Sequence, residues 1–379
     1  MSALAALRRE GEEVVALAER VSTGEVPSHD ELAAAAMLAP MRGAPHDPVH
    51  HAEGDPLVHT AMVVGELVRL PEFDALDEPR RLALSLAALL HDSSKPATAQ
   101  VVDGRVSHPN HAPRGARAAR AVLYAAGVEP AVREAAAALC RRHMQPHHAL
   151  GRGANDTALL RWMAAVSLEV PVRLLLMLAE ADARGRVAAK ADDSALLLRA
   201  FAEEHDLPER PWPFADRTAR LECCRDADRD PRFPTGAPEE GPLVTVLSGL
   251  PATGKSTLAR EAKAERISVE DMLDAGEERG RAVQAAKERL RQALREGRDA
   301  VWDATMLTRP LRRQVVALAE SYRARCRIVN VELPDAERAR RNCERARPVP
   351  DAVVADMLRA WELPTFDEAL IVEGRPDRI

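Results

Sequence analysis

The chain has 379 residues, of which 46% are hydrophobic and 30% charged, so it is long enough for two or three domains, each with its own core. Its net charge is −6, and residues 241–379 carry 25 basic against 23 acidic side chains, which argues against a broadly basic nucleic-acid coat. The five cysteines form no C-x-x-C pair, which argues against a disulfide framework. The lack of an apolar signal core or of a long apolar run predicts a cytoplasmic protein without a membrane partner.

Residues 1–205 are predicted to form an all-α domain. Runs rich in Ala and Leu have helical length and spacing, with Gly and Pro confined to their ends, over residues 80–90, 116–126, 131–142 and 172–183. One exception is the segment 100–106, where Asp103-Gly104 between short β-branched runs predicts a tight hairpin.

Histidines and aspartates recur near the ends of these predicted helices. In chain order they are His59, His91, Asp92, His111, His143 and Asp182. Imidazole and carboxylate donors on several helices suit a borderline divalent ion, and a carboxylate beside a histidine can serve two ions. Glu180 is an alternative to Asp182, and periodicity leaves both open. Nearby histidines that are not assigned a role are His50, His51, His108, His147 and His148.

A change of composition predicts a linker over residues 206–240. Prolines mixed with charged residues break any continuing helix there, at positions 208, 211, 213, 231, 234 and 238. We therefore assign residues 241–379 to a second domain.

The second domain opens with a complete phosphate loop. The sequence Gly249-Leu250-Pro251-Ala252-Thr253-Gly254-Lys255-Ser256-Thr257 fits the pattern G-x-x-x-x-G-K-S and follows the apolar run 243–247. In such a loop, backbone N–H groups face the phosphate oxygens, Lys255 would neutralise the β- and γ-phosphates, and Ser256 would hold Mg²⁺. The loop therefore predicts binding of ATP or another nucleoside triphosphate.

The remainder of this domain alternates strand-like and helical runs, which is typical of a parallel sheet built from βαβ units. The strand-like runs are 300–302 and 326–333, and the helical runs are 279–296, 311–323 and 336–345. The predicted fold class is thus multidomain, with an all-α domain followed by an α/β P-loop domain that contains a parallel sheet.

Candidate groups for phosphoryl transfer lie at the ends of these strands. Glu270 and Asp271 follow Lys255 by roughly fifteen residues, where a carboxylate could accept a hydroxyl proton, although Asp271 could instead cap a helix. Asp303 and Thr305 are candidates for binding the acceptor, and further candidates are Arg341 and Arg345. The last two are like charges at i and i+4, an arrangement that an anion would stabilise, so they are predicted to form a lid over the triphosphate.

The order of histidines and aspartates in the first domain, with Lys95 three residues after Asp92, resembles the HD-type phosphohydrolases. This resemblance implies one ion held by His59, His91, Asp92 and Asp182, and a second ion held by Asp92, His111 and His143. It also implies that Lys95 lies near the substrate phosphate. The abundance of imidazole favours ions such as Mn²⁺, Co²⁺ or Ni²⁺ over Mg²⁺.

The motifs of the second domain look like those of the polynucleotide 5′-kinase family, namely 249–257, 267–271, Asp303-Ala304-Thr305 and Arg341-Asn342-Cys343-Glu344-Arg345. Placed behind an HD domain, they resemble the bifunctional nucleic-acid end-healing enzymes. The resemblance implies hydrolysis of 2′,3′-cyclic or 2′/3′-phosphate ends of RNA or DNA, and transfer of a phosphoryl group from a nucleoside triphosphate to a 5′-OH end. Sealing would require a separate ligase.

Two positions depart from the kinase family. Leu273 stands where an arginine for the acceptor phosphate is expected, and Met306 stands where an asparagine is common. Arg309 or Arg312 could bind the acceptor instead, with Arg313 a further alternative. Two other functions stay open: a mononucleotide phosphohydrolase fused to a small-molecule kinase, and a regulatory HD protein controlled by nucleotide binding.

Overall fold

The computed structural model describes residues 2–151, 154–188, 192–233 and 240–379, which divide into two compact units. The first unit is Met1–Trp212 together with Pro376–Ile379, and the second is Pro213–Arg375. A helical unit followed by an α/β unit with a parallel sheet confirms the predicted fold class. Pro234 and Pro238 of the predicted linker lie outside the described residues.

The first unit is helical apart from one hairpin. Its helices are α1 Ala3–Ser22, α2 His29–Ala34, α3 Pro56–Val68, α4 Glu78–Leu90, α5 His111–Ala125, α6 Pro130–Arg142, α7 Gln145–Ala149, α8 Asp156–Ser167, α9 Val172–Arg184 and α10 Ser194–Glu204. The predicted hairpin is confirmed by the antiparallel strands β1 Gln100–Val102 and β2 Arg105–Ser107. Asp103 and Gly104 both have positive φ, 50° and 74°, as a type I′ turn requires.

Helices α4 and α9 form much of the interior of this unit. Every residue from Ala83 to Leu90 is buried, and so is every residue from Leu174 to Asp182. The residues that follow α4 therefore begin in the core. Helix α5 starts five residues before the predicted run because Pro113 lies in its first turn, where the missing N–H breaks no helical hydrogen bond.

The predicted linker is not free of regular structure. Residues 206–212 belong to the first unit, and a helix, α11 Arg217–Arg225, forms in the second. Asp216 caps this helix through a hydrogen bond of 2.7 Å to the N–H of Ala219. The helix is held because Arg220 and Arg225 donate to backbone carbonyl groups of residues 367–370. The domain boundaries themselves stay predictions.

The second unit contains a five-stranded parallel sheet with strand order β4-β5-β3-β6-β7. Its strands are β3 Leu243–Ser248, β4 Glu265–Ser268, β5 Ala300–Asp303, β6 Arg325–Asn330 and β7 Ile371–Glu373, and its remaining helices are α12 Lys255–Glu261, α13 Val269–Asp274, α14 Arg279–Arg295, α15 Arg309–Ser321, α16 Asp335–Cys343 and α17 Asp351–Ala360. Strand β3 is central and almost fully buried, as its apolar sequence predicts.

The carboxyl ends of β3, β4 and β5 meet at one edge of this sheet, the edge where ligands bind in open α/β folds. The phosphate loop follows β3, Glu270 follows β4, and Asp303 ends β5. The predicted strand 326–333 ends earlier, at Asn330, and strand β7 was not predicted.

No single helix in the described part of the chain has the length and apolar character needed to span a membrane. Helices α8 and α9 meet those criteria only when joined, and they are bent by 106° relative to each other.

Candidate functional sites

The histidines and aspartates singled out in the first unit come together in its core. They lie on or directly after helices α3, α4, α5, α6 and α9, and the least buried of them, His111, is 9% exposed. Helix α4 ends at Leu90, so that His91 and Asp92 leave it inside the protein. The structure thus brings together all six residues that the sequence predicted as metal ligands.

Three of these histidines are held in one tautomer by the backbone. The Nδ1 atoms of His91, His111 and His143 each lie 2.8 to 2.9 Å from the carbonyl oxygen three residues earlier. Since a carbonyl oxygen can only accept, each Nδ1 carries a hydrogen, and in the neutral ring the Nε2 atom then presents a lone pair. This is the arrangement that orients a histidine to ligate through Nε2.

The lone pairs of this group point at one another. Nε2 of His111 lies 3.2 Å from Nε2 of His143, and Asp92 Oδ1 lies 3.5 and 3.6 Å from these two atoms. Within the described residues, neither Asp92 Oδ1 nor His91 Nε2 has a hydrogen-bond partner. Burial lowers the pKa of His143 to about 3 and also lowers that of His111, which keeps both rings neutral. Buried acceptors facing each other without a proton fit a bound cation.

A second group shares Asp92 with the first. His59 Nε2 lies 3.0 Å from Asp182 Oδ1 and 3.8 Å from Asp92 Oδ2, and His91 Nε2 lies 3.3 Å from the same Asp92 oxygen. Burial alone would raise the pKa of Asp92, but Lys95 and the surrounding histidines hold it well below its usual range. Donor atoms of His59, His91 and Asp92 lie within 4.8 Å of one another, as do those of Asp92, His111 and His143. The donor set therefore fits two divalent ions bridged by Asp92.

Glu180, the alternative to Asp182, does not belong to this cluster. Its carboxylate is paired with Arg184 at 2.5 Å and with Arg199. Asp182 instead accepts from His59 and, at 2.9 Å, from Nε2 of His147. The structure therefore favours Asp182 as the ligand.

Lys95 lies between the ligand cluster and a second set of histidines. Its Nζ is 2.7 Å from Asp92 Oδ2 and 2.8 Å from Nε2 of His46. His46 stacks on His51 with ring centroids 3.5 Å apart. Glu53 Oε1 lies 2.8 Å from His51 Nδ1 and 3.0 Å from His59 Nδ1, so this carboxylate orients a predicted ligand.

Sequence reasoning missed several of these supporting residues. Glu53, His46 and Asp192 lie in loops, where no periodicity marks them, and Asp192 holds Nδ1 of His147 at 2.5 Å. Arg186, paired with Asp182 at 2.5 Å, did leave a signal, because it stands four residues after that aspartate.

In the second unit, the phosphate loop has the backbone that its glycines predict. Gly249 has a φ of 152°, and a Cβ atom there would lie 2.2 Å from the carbonyl oxygen of Val331. Gly254 has a φ of 97° and precedes Lys255, the first residue of α12. Nζ of Lys255 donates to the carbonyl oxygen of Leu250 at 2.7 Å. Burial lowers the pKa of this lysine to about 8.

Ser256 and Asp303 form the second part of this site. The hydroxyl of Ser256 donates to Asp303 Oδ1 at 3.2 Å, and Arg266 pairs with the other carboxylate oxygen at 2.8 Å. A hydroxyl beside a carboxylate, next to a phosphate loop, fits Mg²⁺, which prefers oxygen ligands. Asp303 thus lies against the phosphate loop, although the sequence placed it with the acceptor.

The structure separates the two candidate bases. Glu270 lines the cavity beside the phosphate loop and pairs with Arg345 at 2.9 Å. Asp271 does not line this cavity, and Arg266 engages both of its oxygens, at 2.7 and 3.2 Å. The expectation that Asp271 caps a helix is wrong, because the capping side chain is that of Ser268, which accepts from the Asp271 N–H at 3.1 Å.

The predicted lid residues lie over the same cavity. Arg341 and Arg345 both line it, and an Arg341 Nη1 atom would be 3.9 Å from a Cβ built on Gly254. Arg341 is held by Glu337 at 2.6 Å. The carboxylate partner of Arg345 is exposed and that of Arg341 is partly exposed, so an incoming anion can displace both.

The cavity has a volume of about 720 Å³ and extends from the phosphate loop to the helices α13, α14 and α15. Thr305, which is predicted to bind the acceptor, lines it, and so does Leu273. Arg309 does not, because its guanidinium pairs with Asp367. Arg312 is fully buried and held by Glu368 at 2.7 Å, so its placement argues against a role in acceptor binding.

Other cations that line the cavity were missed by the sequence reasoning. They are Arg260, Arg279 and Lys287. The last two, with Val283 between them, follow an i, i+4, i+8 spacing that places them on one face of α14.

Comparison with known proteins adds two similarities. Residues 244–364 match the family described as AAA domain. The chain is also similar to three proteins named multifunctional CCA protein. The one from Alkalilimnicola ehrlichii is 32% identical over 146 residues, 38% of this chain and 33% of that protein. The one from Halorhodospira halophila is 29% identical over 210 residues, 52% and 48% of the two chains, and the one from Thioalkalivibrio sulfidiphilus is 30% identical over 192 residues, 50% and 40%. The chain thus spans between a third and about half of the length of these curated relatives, and its second unit has a P-loop fold that matches AAA domains.

Proposed function

We propose that this chain is a bifunctional enzyme that prepares RNA or DNA ends for a separate ligase. The first unit would hydrolyse 2′,3′-cyclic or terminal 2′/3′-phosphates, and the second would transfer the γ-phosphoryl group of a nucleoside triphosphate to a 5′-OH end. The observation that carries this proposal is that each unit builds its own site for phosphate chemistry. One site is a buried set of imidazole nitrogens around the Asp92 carboxylate, and the other is a phosphate loop opening into a cavity.

The similarities to known proteins support part of this proposal. A match to AAA domains supports nucleotide binding by the second unit. The relatives' name, multifunctional CCA protein, supports more than one function in the chain.

In the first unit, His59, His91, Asp92 and Asp182 would hold one divalent ion, and Asp92, His111 and His143 the other. Such ions supply polarisation of phosphoryl oxygens and activation of water. Lys95 would place its ammonium group on the phosphate, because Asp92 and His46 hold its Nζ at the edge of the cluster. Glu53 and His147 keep His59 and Asp182 oriented toward the interior of the cluster.

In the second unit, Lys255 would leave the Leu250 carbonyl oxygen and bind the β- and γ-phosphates, while Ser256 and Asp303 hold Mg²⁺. Glu270 would accept the proton of the 5′-hydroxyl group while the hydroxyl oxygen bonds to the γ-phosphorus and the nucleoside diphosphate leaves. Arg341 and Arg345 would exchange Glu337 and Glu270 for the phosphate oxygens. Release of Arg345 frees the Glu270 carboxylate for its role as base.

The test is to incubate the protein with labelled ATP and either a 5′-OH oligonucleotide or a panel of nucleosides, and separately with 2′,3′-cyclic and 2′/3′-phosphate ends. We expect label on the oligonucleotide and hydrolysis of the phosphate ends. Label on nucleosides alone would instead establish a small-molecule kinase. ATP binding that alters hydrolysis, without any labelled product, would establish a regulatory protein.

A further inference from the structure

The side of the cavity away from the phosphate loop carries cations that neither the loop nor the lid explains. The cavity is lined by six basic side chains and two acidic ones, Glu270 and Asp303. Both carboxylates are already engaged, by Arg345 and Arg266. The cavity is therefore suited to a ligand with more negative charge than the loop and lid arginines alone would bind.

Arg279 and Lys287 form the basic face of helix α14 inside this cavity. They stand eight residues apart with Val283 between them, and all three line the cavity. Among the described residues, Arg279 makes no ion pair, and Lys287 has a neutral partner, Gln314 Oε1 at 3.1 Å. A guanidinium without a carboxylate partner is available to bind a phosphate.

A second observation points to a ligand in the same place. Trp302 lines the cavity and is 3% exposed, yet its indole N–H has no acceptor among the described residues. A buried donor without a partner costs free energy that a ligand oxygen can recover. Apolar side chains, including Val283, Met306 and Leu311, complete this part of the lining and suit the faces of a sugar or base.

We propose that Arg279 and Lys287 bind backbone phosphates of the acceptor strand close to its 5′-hydroxyl. This inference rests on the proposed kinase function and names the residues that select a nucleic-acid strand over a nucleoside. Glu270 lines the same cavity as these two cations. It would act as the base, while Arg279 and Lys287 hold the strand. A nucleoside offers no anion to these two side chains.

The test compares Arg279→Ala and Lys287→Ala with Arg281→Ala, a matched control on the same helix whose exposed side chain does not line the cavity. Each cavity variant should raise KM for a 5′-OH oligonucleotide roughly tenfold, the size expected for one charge-assisted contact, and leave KM for ATP unchanged. A second acceptor, with uncharged methylphosphonates at its first two linkages, should bind the wild type more weakly than the first acceptor does. Its affinity should not fall further in the two cavity variants. The slope of log affinity against log salt for single-stranded acceptor should fall by about 0.7 in each variant.

Binding of a fluorescent 5′-OH oligonucleotide, measured beside phosphoryl transfer, separates the two levels of the proposal. Transfer by the wild type that is unaffected in both cavity variants would overturn this inference and leave the kinase function standing. Strand binding that is lost in the variants of a protein that transfers no phosphate would support the basic face and overturn the kinase. Equal losses in Arg281→Ala and Arg279→Ala would also overturn the inference, because they would indicate a diffuse charge effect.

Discussion

Replacement of Arg312 by alanine tests whether the interior of the second unit is built as described. Arg312 is fully buried, and its Nε and Nη2 atoms donate to Glu368 at 2.7 and 2.8 Å. Its Nη1 donates to the carbonyl oxygens of Met306, Leu307 and Glu362 at 3.2, 3.0 and 2.9 Å. Truncation would leave Glu368 as a buried charge without its cationic partner. It would also remove one donor from each of these carbonyl groups, although those of Met306 and Leu307 keep the Ser248 hydroxyl and the Glu362 N–H. Loss of one partner of a buried pair costs about 3–5 kcal/mol of unfolding free energy.

Native-state hydrogen exchange of strands β3 and β6 measures this loss in the second unit alone, which avoids treating a two-unit chain as one transition. We expect exchange in these strands to accelerate by roughly two to four orders of magnitude in Arg312→Ala, at about tenfold per 1.36 kcal/mol. Arg313→Ala, a change at the exposed neighbouring position, should leave it almost unchanged. Wild-type protection in Arg312→Ala, together with a raised KM for the acceptor strand, would refute the structural role and restore the one predicted from sequence.

Three further predictions concern the two sites and the packing of the cysteines. Glu270→Gln should lower kinase turnover by about 10²-fold or more, and Asp271→Asn far less, because only Glu270 lines the cavity; steady-state rates with a 5′-OH strand check this, and the reverse order would exchange the two roles. Chelator should abolish hydrolysis of a 2′,3′-cyclic phosphate, and Mn²⁺, Co²⁺ or Ni²⁺ should restore it better than Mg²⁺; full activity in chelator would contradict the two-ion site. Burial raises the pKa of Cys140 and Cys326 to about 12, so at pH 8 almost none of either is thiolate, and a thiol reagent should label the exposed Cys343 first; mass spectrometry of the native protein that finds Cys140 labelled first would contradict this packing.

The spacing of apolar residues and the positions of glycine and proline predicted most of the architecture, because they depend on interactions between residues close in sequence. The Asp103-Gly104 turn, the apolar strand β3 and the Ala-rich helices each carry their signal within a few residues. Helix α11 was missed because its cap at Asp216 and its contacts with residues 367–370 outweigh the prolines around it. Contacts of that sequence separation leave no periodic trace.

In the candidate sites, too, features set by neighbouring residues could be predicted, and features set by distant contacts could not. The ligand cluster could be predicted because helix ends place His91 and His143 by short-range geometry. The tautomers that make these rings acceptors depend on backbone carbonyl groups and were visible only in the structure. Sequence alone does not rank the arginines, because Arg312 and Arg279 differ only in their surroundings. Arg312 is paired with the buried Glu368, and Arg279 lines the cavity.

A single RNA strand tests most directly whether this chain performs two independent phosphate reactions on nucleic-acid ends, as we propose. An RNA with a 5′-OH and a 2′,3′-cyclic phosphate, incubated with ATP, Mg²⁺ and Mn²⁺, should gain a 5′-phosphate and lose its cyclic end in the wild type, as read by mass spectrometry. Lys255→Ala should yield strands changed only at the 3′ end, and Asp92→Asn strands changed only at the 5′ end, because the two sites share no residue. Loss of both changes in folded Lys255→Ala protein would contradict the account, because it would show that nucleotide binding controls hydrolysis.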